Sequence, residues 1–408
     1  MLSKKMQSQL EKGSPIRRAF EEGQRLGLLY GKENVFDFSI GNPEIPAPEA
    51  IRKWVRQIIG EDPRSIHGYM CDAGYEEVRE KIAASLNRRF GTSFSLHNIV
   101  MSAGAAGAIN VIMYALLDPG DEVILMRPYY PGYQSFILNW DAELVAVDPD
   151  PEDFQPDMED FRRKITERTK LVIVNSPNNP TGVIYTEETI RGLTEILREK
   201  QEQYGHGIYL LSDEPYRELC YIDTYPEEEL PFWTEYYENT IIVYSFSKTL
   251  SIPGERIGYF VIPDAAAGSR DLIKASRIAT GMLGFVNAPS LFQKVAGACV
   301  EIKADIYDYR RNRDLLYNTL CRLGFTCIPP QGAFYIFVKT PGGDEKEFLK
   351  AAHACRILLV GGSAFGYPGY ARISFCVSYD KIKRSLPAFE KLAGMMDLQG
   401  GRKSERSQ

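Results

Sequence analysis

With 408 residues, 44% of them apolar, the chain is long enough for two domains of ordinary size around a large core. A net charge of −6 argues against nucleic acid as a partner, since that would need a basic face. Seven cysteines scatter without a CxxC pair and only four histidines are present, so neither a disulfide framework nor a metal centre is expected, and reduced thiols fit a cytoplasmic setting.

The first residues, Met1 to Gln7, are polar and helix-like and lack the apolar stretch of a signal peptide. No run approaches the length of a membrane-spanning helix. From residue 98 to residue 262, apolar runs centred on Val100, Ile124, Val145, Val172, Leu210, Val243 and Phe260 alternate with helical patterns such as Glu187 to Tyr204. This alternation predicts an α/β fold: a mostly parallel seven-stranded sheet flanked by helices. Several runs are solidly apolar, as strands buried on both faces are. After Pro289 the pattern changes to a long helix from Ser290 to Leu323, a strand over 333–338, a helix over 346–353, two strands and a final helix. This predicts a smaller α+β domain. The expected division is an N-terminal segment 1–45, a large domain 46–288, a small domain 289–395 and a disordered tail 396–408.

Chemistry-bearing residues gather where the strands end, as they do in open α/β sheets. Ser102-Ala103-Gly104-Ala105-Ala106-Gly107 follows the first run and opens a helix. Pro128-Tyr129-Tyr130-Pro131 follows the second. Asn178-Asn179-Pro180-Thr181-Gly182 follows Leu171 to Asn175, and Ser212-Asp213-Glu214-Pro215-Tyr216-Arg217 follows Ile208 to Leu211. Tyr244-Ser245-Phe246-Ser247-Lys248-Thr249 closes another run, with Arg256 eight residues past the lysine. Tyr370-Ala371-Arg372-Ile373-Ser374 lies near the C-terminus. Alone, Ser-x-Ser-Lys describes a surface lysine, and Ser-Asp-Glu-Pro describes a helix cap. Together these segments suggest a lysine that holds an aldehyde cofactor beside a phosphate.

In this combination, from about Ile16 to about Leu392, the chain resembles the class I/II aminotransferases, which depend on pyridoxal 5′-phosphate (PLP) and share PLP fold type I. The resemblance implies that Lys248 holds PLP as a Schiff base and moves the proton in the amino transfer, which passes through pyridoxamine phosphate. It implies that Asp213 pairs with the pyridine nitrogen and that Tyr216 and Asn179 bond O3′. Ser245, Ser247, Arg256 and the Gly104-Ala105-Ala106 loop would hold the phosphate, and Tyr130 would lie over the ring. Arg372, helped by Asn179 and by the backbone at Gly41, would grip the substrate carboxylate. Tyr69 would reach the phosphate of a neighbouring subunit, implying a homodimer with shared active sites, and Asn287 would make a similar contact. The Asn179–Pro180 bond is a candidate for cis geometry. No metal, membrane or nucleic-acid partner is expected.

The expected reaction moves an amino group from an L-amino acid to a 2-oxo acid, with glutamate and 2-oxoglutarate as one pair. A carbon–sulfur β-lyase on the same fold starts from the same Cα deprotonation, so both readings stand at this level. The donor's side chain is not legible: Arg17, Arg18, Arg25 and Arg277 are all candidates for reading a second carboxylate.

Overall fold

The computed structural model describes residues 2–13, 15–61, 66–222 and 230–398. Its dominant element is a seven-stranded sheet made of β2 (Ile99–Ser102), β3 (Glu122–Met126), β4 (Glu143–Val147), β5 (Thr169–Val174), β6 (Tyr209–Asp213), β7 (Thr240–Ser245) and β8 (Gly258–Val261), in the order β2-β8-β7-β6-β5-β3-β4. Every strand centre read from the sequence falls within one of these strands. β5, β6 and β7 are almost wholly buried because helices cover both faces. At roughly 1.5–3 kcal/mol for each buried Leu, Ile or Val, such runs dominate the stability of the sheet.

One strand runs against the rest. β8 is antiparallel to both β2 and β7, while the other neighbours pair in parallel. Because β8 is reversed, its start lies at the edge where the other strands end. Gly258 thus pairs with both Ser102 and Ser245, and Arg256, two residues earlier, arrives at that edge as well. A Cβ at Gly258 would collide with the Tyr244 carbonyl and lie 3.1 Å from the Gly104 Cα, so the close approach of these loops requires glycine.

The second layer holds β9 (Tyr335–Lys339), β11 (Val360–Gly361) and β12 (Tyr370–Ser374), an antiparallel sheet in the order β11-β12-β9. A short β1 (Phe36–Asp37) runs parallel to β10 (Ile357–Leu358), so the N-terminal segment joins this half of the molecule. Phe36 and Phe38 enter its core beside Phe334, Phe348, Phe375 and Phe389. The helix Pro15–Tyr30 adds a hydrogen bond between Glu22 and His353 Nε2 at 2.7 Å. The preceding helix, Lys4–Lys12, reaches the other half, where Lys5 pairs with Asp141 at 2.9 Å.

Three expectations change. The long helix expected from Ser290 to Leu323 is two helices, Ser290–Ala298 and Tyr307–Arg322. Between them Val300 and Ile302 turn to pack on the core of the large sheet, and Asp305 accepts the Tyr307 N–H at 3.0 Å to start the second helix. Three short strands, rather than two, separate β9 from the last helix, Tyr379–Met395. Met396 and Leu398, in the expected tail, pack on the second core; 399–408 lie outside the described residues.

Candidate active site

A cavity of about 280 Å³ opens at the strand ends of the large sheet, against the second layer. Gly41, Ala105, Ala106, Tyr130, Asn179, Asp213, Tyr216, Ser245, Ser247, Lys248, Arg256 and Arg372 all line it. Gly104 stands just behind, where a Cβ would lie 2.8 Å from the Arg256 guanidinium, and its φ of +73° also favours glycine. Tyr69 is outside the cavity and 94% exposed in the single chain. Asn287 donates to the Cys71 carbonyl of its own chain at 2.9 Å.

Lys248 sits on a four-residue helix, Phe246–Thr249, that follows β7 directly and is capped by the Ser245 hydroxyl. Its Nζ donates to the Gly41 carbonyl at 2.7 Å and stands 5.4 Å from the Phe334 ring centre. Burial pulls the amine down to about 8, and the positive charges of Arg372 and Arg256 act in the same direction, while Cys376 opposes them.

Asp213 ends β6 and is 6% exposed. No helix starts there; the following residues form a turn, so capping does not account for the carboxylate. One oxygen, Oδ2, accepts the Tyr133 hydroxyl at 2.5 Å. The other, Oδ1, is buried and has no hydrogen-bond partner among the described residues. Burial pushes the carboxyl up to about 7 against the pull of Tyr133, and nearby Glu214 adds to the rise. Asn175, the first residue past β5, donates to the Asp213 carbonyl at 2.8 Å and accepts the Asn179 N–H at 2.8 Å. Sequence reasoning missed Tyr133 and Asn175. The rule that found Asp213 also covers Asn175, and Tyr133 lies three residues past Tyr130, where the next helix begins.

Arg372, on β12, is 2% exposed. Its two terminal nitrogens donate to Asn179 Oδ1 at 3.0 Å and to the Ser39 carbonyl at 2.6 Å, while Nε has no partner among the described residues. Tyr335 and Phe365 flank the guanidinium at 4.6 and 4.8 Å. Tyr335, also missed, shares a 2.9 Å hydrogen bond with the Tyr216 hydroxyl. Arg256 donates to the Pro253 carbonyl at 2.9 Å, and the Ser245 hydroxyl donates to Ser247 at 2.8 Å. The helix Gly104–Leu116 begins after Ala103, which offers no side-chain cap, so its first N–H groups remain available to an anion. The Asn179–Pro180 bond is cis.

Pyridoxal phosphate fits these groups: the orphaned Asp213 oxygen can take a ring N–H, the Arg256 corner can take a phosphate, and the Lys248 amine can take an aldehyde. The family model for aminotransferase class I and II matches residues 33–389. The chain belongs to that family. The aminotransferase is 29% identical to an aspartate aminotransferase of Thermotoga maritima, over 92% of this chain and 96% of the relative. It is 31% identical to an aspartate/prephenate aminotransferase of Thermus thermophilus, over 87% and 90%. Among solved structures, an amino transferase from Eubacterium rectale superposes with a TM-score of 0.92 at 43% identity, covering 97% of this chain and 99% of that one. The protein is a PLP-dependent enzyme of this family, with the expected mixed α/β fold. No helix among the described residues is long and apolar enough to cross a membrane.

Proposed function

We propose that the aminotransferase moves the amino group of an L-amino acid onto a 2-oxo acid, using glutamate and 2-oxoglutarate as one of its pairs, and that Lys248 both binds PLP and carries the proton. The observation behind this reading is the buried, unpaired Asp213 Oδ1 in the same cavity as a lysine amine held near 8. Bound PLP supplies an electron sink for the pair left when a Cα–H bond breaks.

Asp213 Oδ1 would accept the ring N–H, and the paired positive charge would draw its pKa back down. At neutral pH a useful fraction of the Lys248 amine is uncharged. With the cofactor bound, that neutral Nζ would be the group to take the proton from the substrate Cα and hold it for return. Tyr216 and Asn179 would bond O3′, and Tyr130 would supply an aromatic face to the ring. Ser245, Ser247 and Arg256, with the N–H groups that follow Gly104, would hold the phosphate. Arg372 uses the directions it does not spend on Ser39 and Asn179 to fork the α-carboxylate, aided by the Gly41 backbone.

The working unit in this reading is a homodimer. Tyr69 is exposed for such a reach, and Ile278, Met282 and Val286 are exposed apolar residues on the Asn287 side. The domain division stays at 46–288 and 289–395, with 1–45 assigned to the smaller, although Lys5 and residues 290–302 reach across it: Lys5 pairs with Asp141, and Val295, Val300 and Ile302 pack on the core of the large sheet. All seven cysteines are free thiols, which supports a cytoplasmic enzyme.

The test uses ¹⁵N-glutamate and a panel of 2-oxo acids, including oxaloacetate because several relatives are named for aspartate. The expected result is ¹⁵N in the new amino acid with 2-oxoglutarate formed one for one. Ammonia and pyruvate from cystathionine, with no label transfer, would replace this reading with the lyase.

A further inference from the structure

Tyr335 lies where the two halves of the site meet. It opens β9, is 2% exposed and lines the cavity. Its hydroxyl bonds the Tyr216 hydroxyl at 2.9 Å, and its ring packs 4.6 Å from the Arg372 guanidinium. Its place depends on residue 41, since a Cβ on Gly41 would overlap the Tyr335 hydroxyl. One side chain therefore touches both the residue assigned to O3′ and the residue assigned to the carboxylate.

We propose that Tyr335 is a positioning residue with two separable roles: its hydroxyl donates to the Tyr216 oxygen, turning the Tyr216 proton toward the cofactor's O3′, and its ring face keeps the Arg372 fork oriented for a carboxylate. The inference rests on the roles proposed above for Tyr216 and Arg372.

A phenol has one proton to give. Were Tyr216 to donate to Tyr335, none would remain for O3′. Donation from Tyr335 frees that proton and strengthens it, because hydrogen bonds in series polarise one another. A guanidinium over an aromatic face is itself favourable and restricts the swing of the fork. Besides Tyr335, Tyr216 faces Arg372, Asp213 and Tyr133; besides Tyr216, Tyr335 faces Arg372, Cys376, Tyr130 and Tyr309. Burial pushes both phenols above their ordinary range, so each stays protonated near neutrality.

The test is a pH titration of the absorbance of the Lys248-bound cofactor in holoenzyme, for wild type, Tyr216→Phe, Tyr335→Phe and the double variant, with KM for the amino donor measured for Tyr335→Phe and Tyr335→Leu. Losing a donor to O3′ raises the midpoint. Tyr216→Phe is expected to raise it by about one pH unit and Tyr335→Phe by about half a unit, with the double variant matching Tyr216→Phe alone. The Michaelis constant should stay within about two-fold in Tyr335→Phe and rise about ten-fold in Tyr335→Leu. An unmoved midpoint in Tyr216→Phe overturns the Tyr216 assignment and this inference with it. A normal Tyr216→Phe shift beside an unmoved Tyr335→Phe, or additive shifts, overturns the hydroxyl role alone. Equal Michaelis constants in Tyr335→Phe and Tyr335→Leu overturn the ring role.

Discussion

Asp213 and Arg372 line one cavity from different sheets and are held in different ways. Asp213 ends β6, and its partners Tyr133 and Asn175 leave the same sheet at the same edge. Arg372 comes from the second sheet, and its partners lie on two other stretches, Asn179 beyond β5 and Ser39 in the N-terminal segment. The group assigned to the cofactor's electronics is thus fixed within one rigid layer, while the group assigned to substrate grip spans the seam between two layers. Tyr216 shows the handover: three residues past Asp213, its ring already packs edge-on against Phe334 of the second core.

The most severe way to break this arrangement is to remove the group that serves both ends. Lys248→Ala should retain PLP non-covalently and lose turnover by at least ~10³-fold, since both covalent capture and proton transfer go with the amine. Near-normal turnover would dismiss the site as drawn. Asp213→Ala attacks the electronic end alone. Its kcat should fall by roughly 10²–10³-fold while PLP affinity weakens by less than about ten-fold, because the carboxylate acts on the ring's charge more than on its binding. Stopped-flow single turnovers beside a PLP titration measure both, and an unchanged rate would refute the role.

Arg372→Lys attacks the other end. A lysine keeps the charge but loses the planar fork, so KM for donor and acceptor should rise together by about 10–100-fold, with kcat reduced less. A loss confined to kcat would mean that the seam tunes chemistry and not grip.

The sequence was most legible where physics is local. Apolar runs marked all seven strands of the large sheet, and the residues after them marked most of the cavity. An apolar run has no direction, however, so the reversal of β8, which brings Arg256 to the edge, was not legible. Tyr335 was hidden for a similar reason. Its partner Tyr216 is 119 residues away, and nothing in the local pattern of the chain's 24 tyrosines distinguishes a buried hydroxyl pair from ordinary core aromatics. The continuous helix expected across residues 299–306 failed because Val300 and Ile302 serve a different core from the helix that follows, and tertiary packing overrode local propensity.

The finest difference between the ends is in how stability responds to pH without cofactor. An Asp carboxyl in an unfolded chain has a pKa near ~3.9, and burial raises Asp213 to about 7 in the folded protein. The folded state therefore holds this proton more tightly. Its contribution to stability is complete below about pH 4, is lost as pH rises through about 7, and changes no further above that. Asp213→Asn has no such proton to lose. The melting temperature of the apo variant, minus that of apo wild type, should grow by about 2–4 °C between pH 4 and pH 7 and then level off. Adding PLP should close the gap, because a ring N–H beside the carboxylate compensates its buried charge. Tyr216→Phe is the control from the seam side. Burial keeps that phenol protonated across the whole range, so its gap should stay flat from pH 4 to pH 8. Were both gaps flat, Asp213 would be charged and solvated in the apo protein, and the rigid end of the site would be open to water when the cofactor leaves.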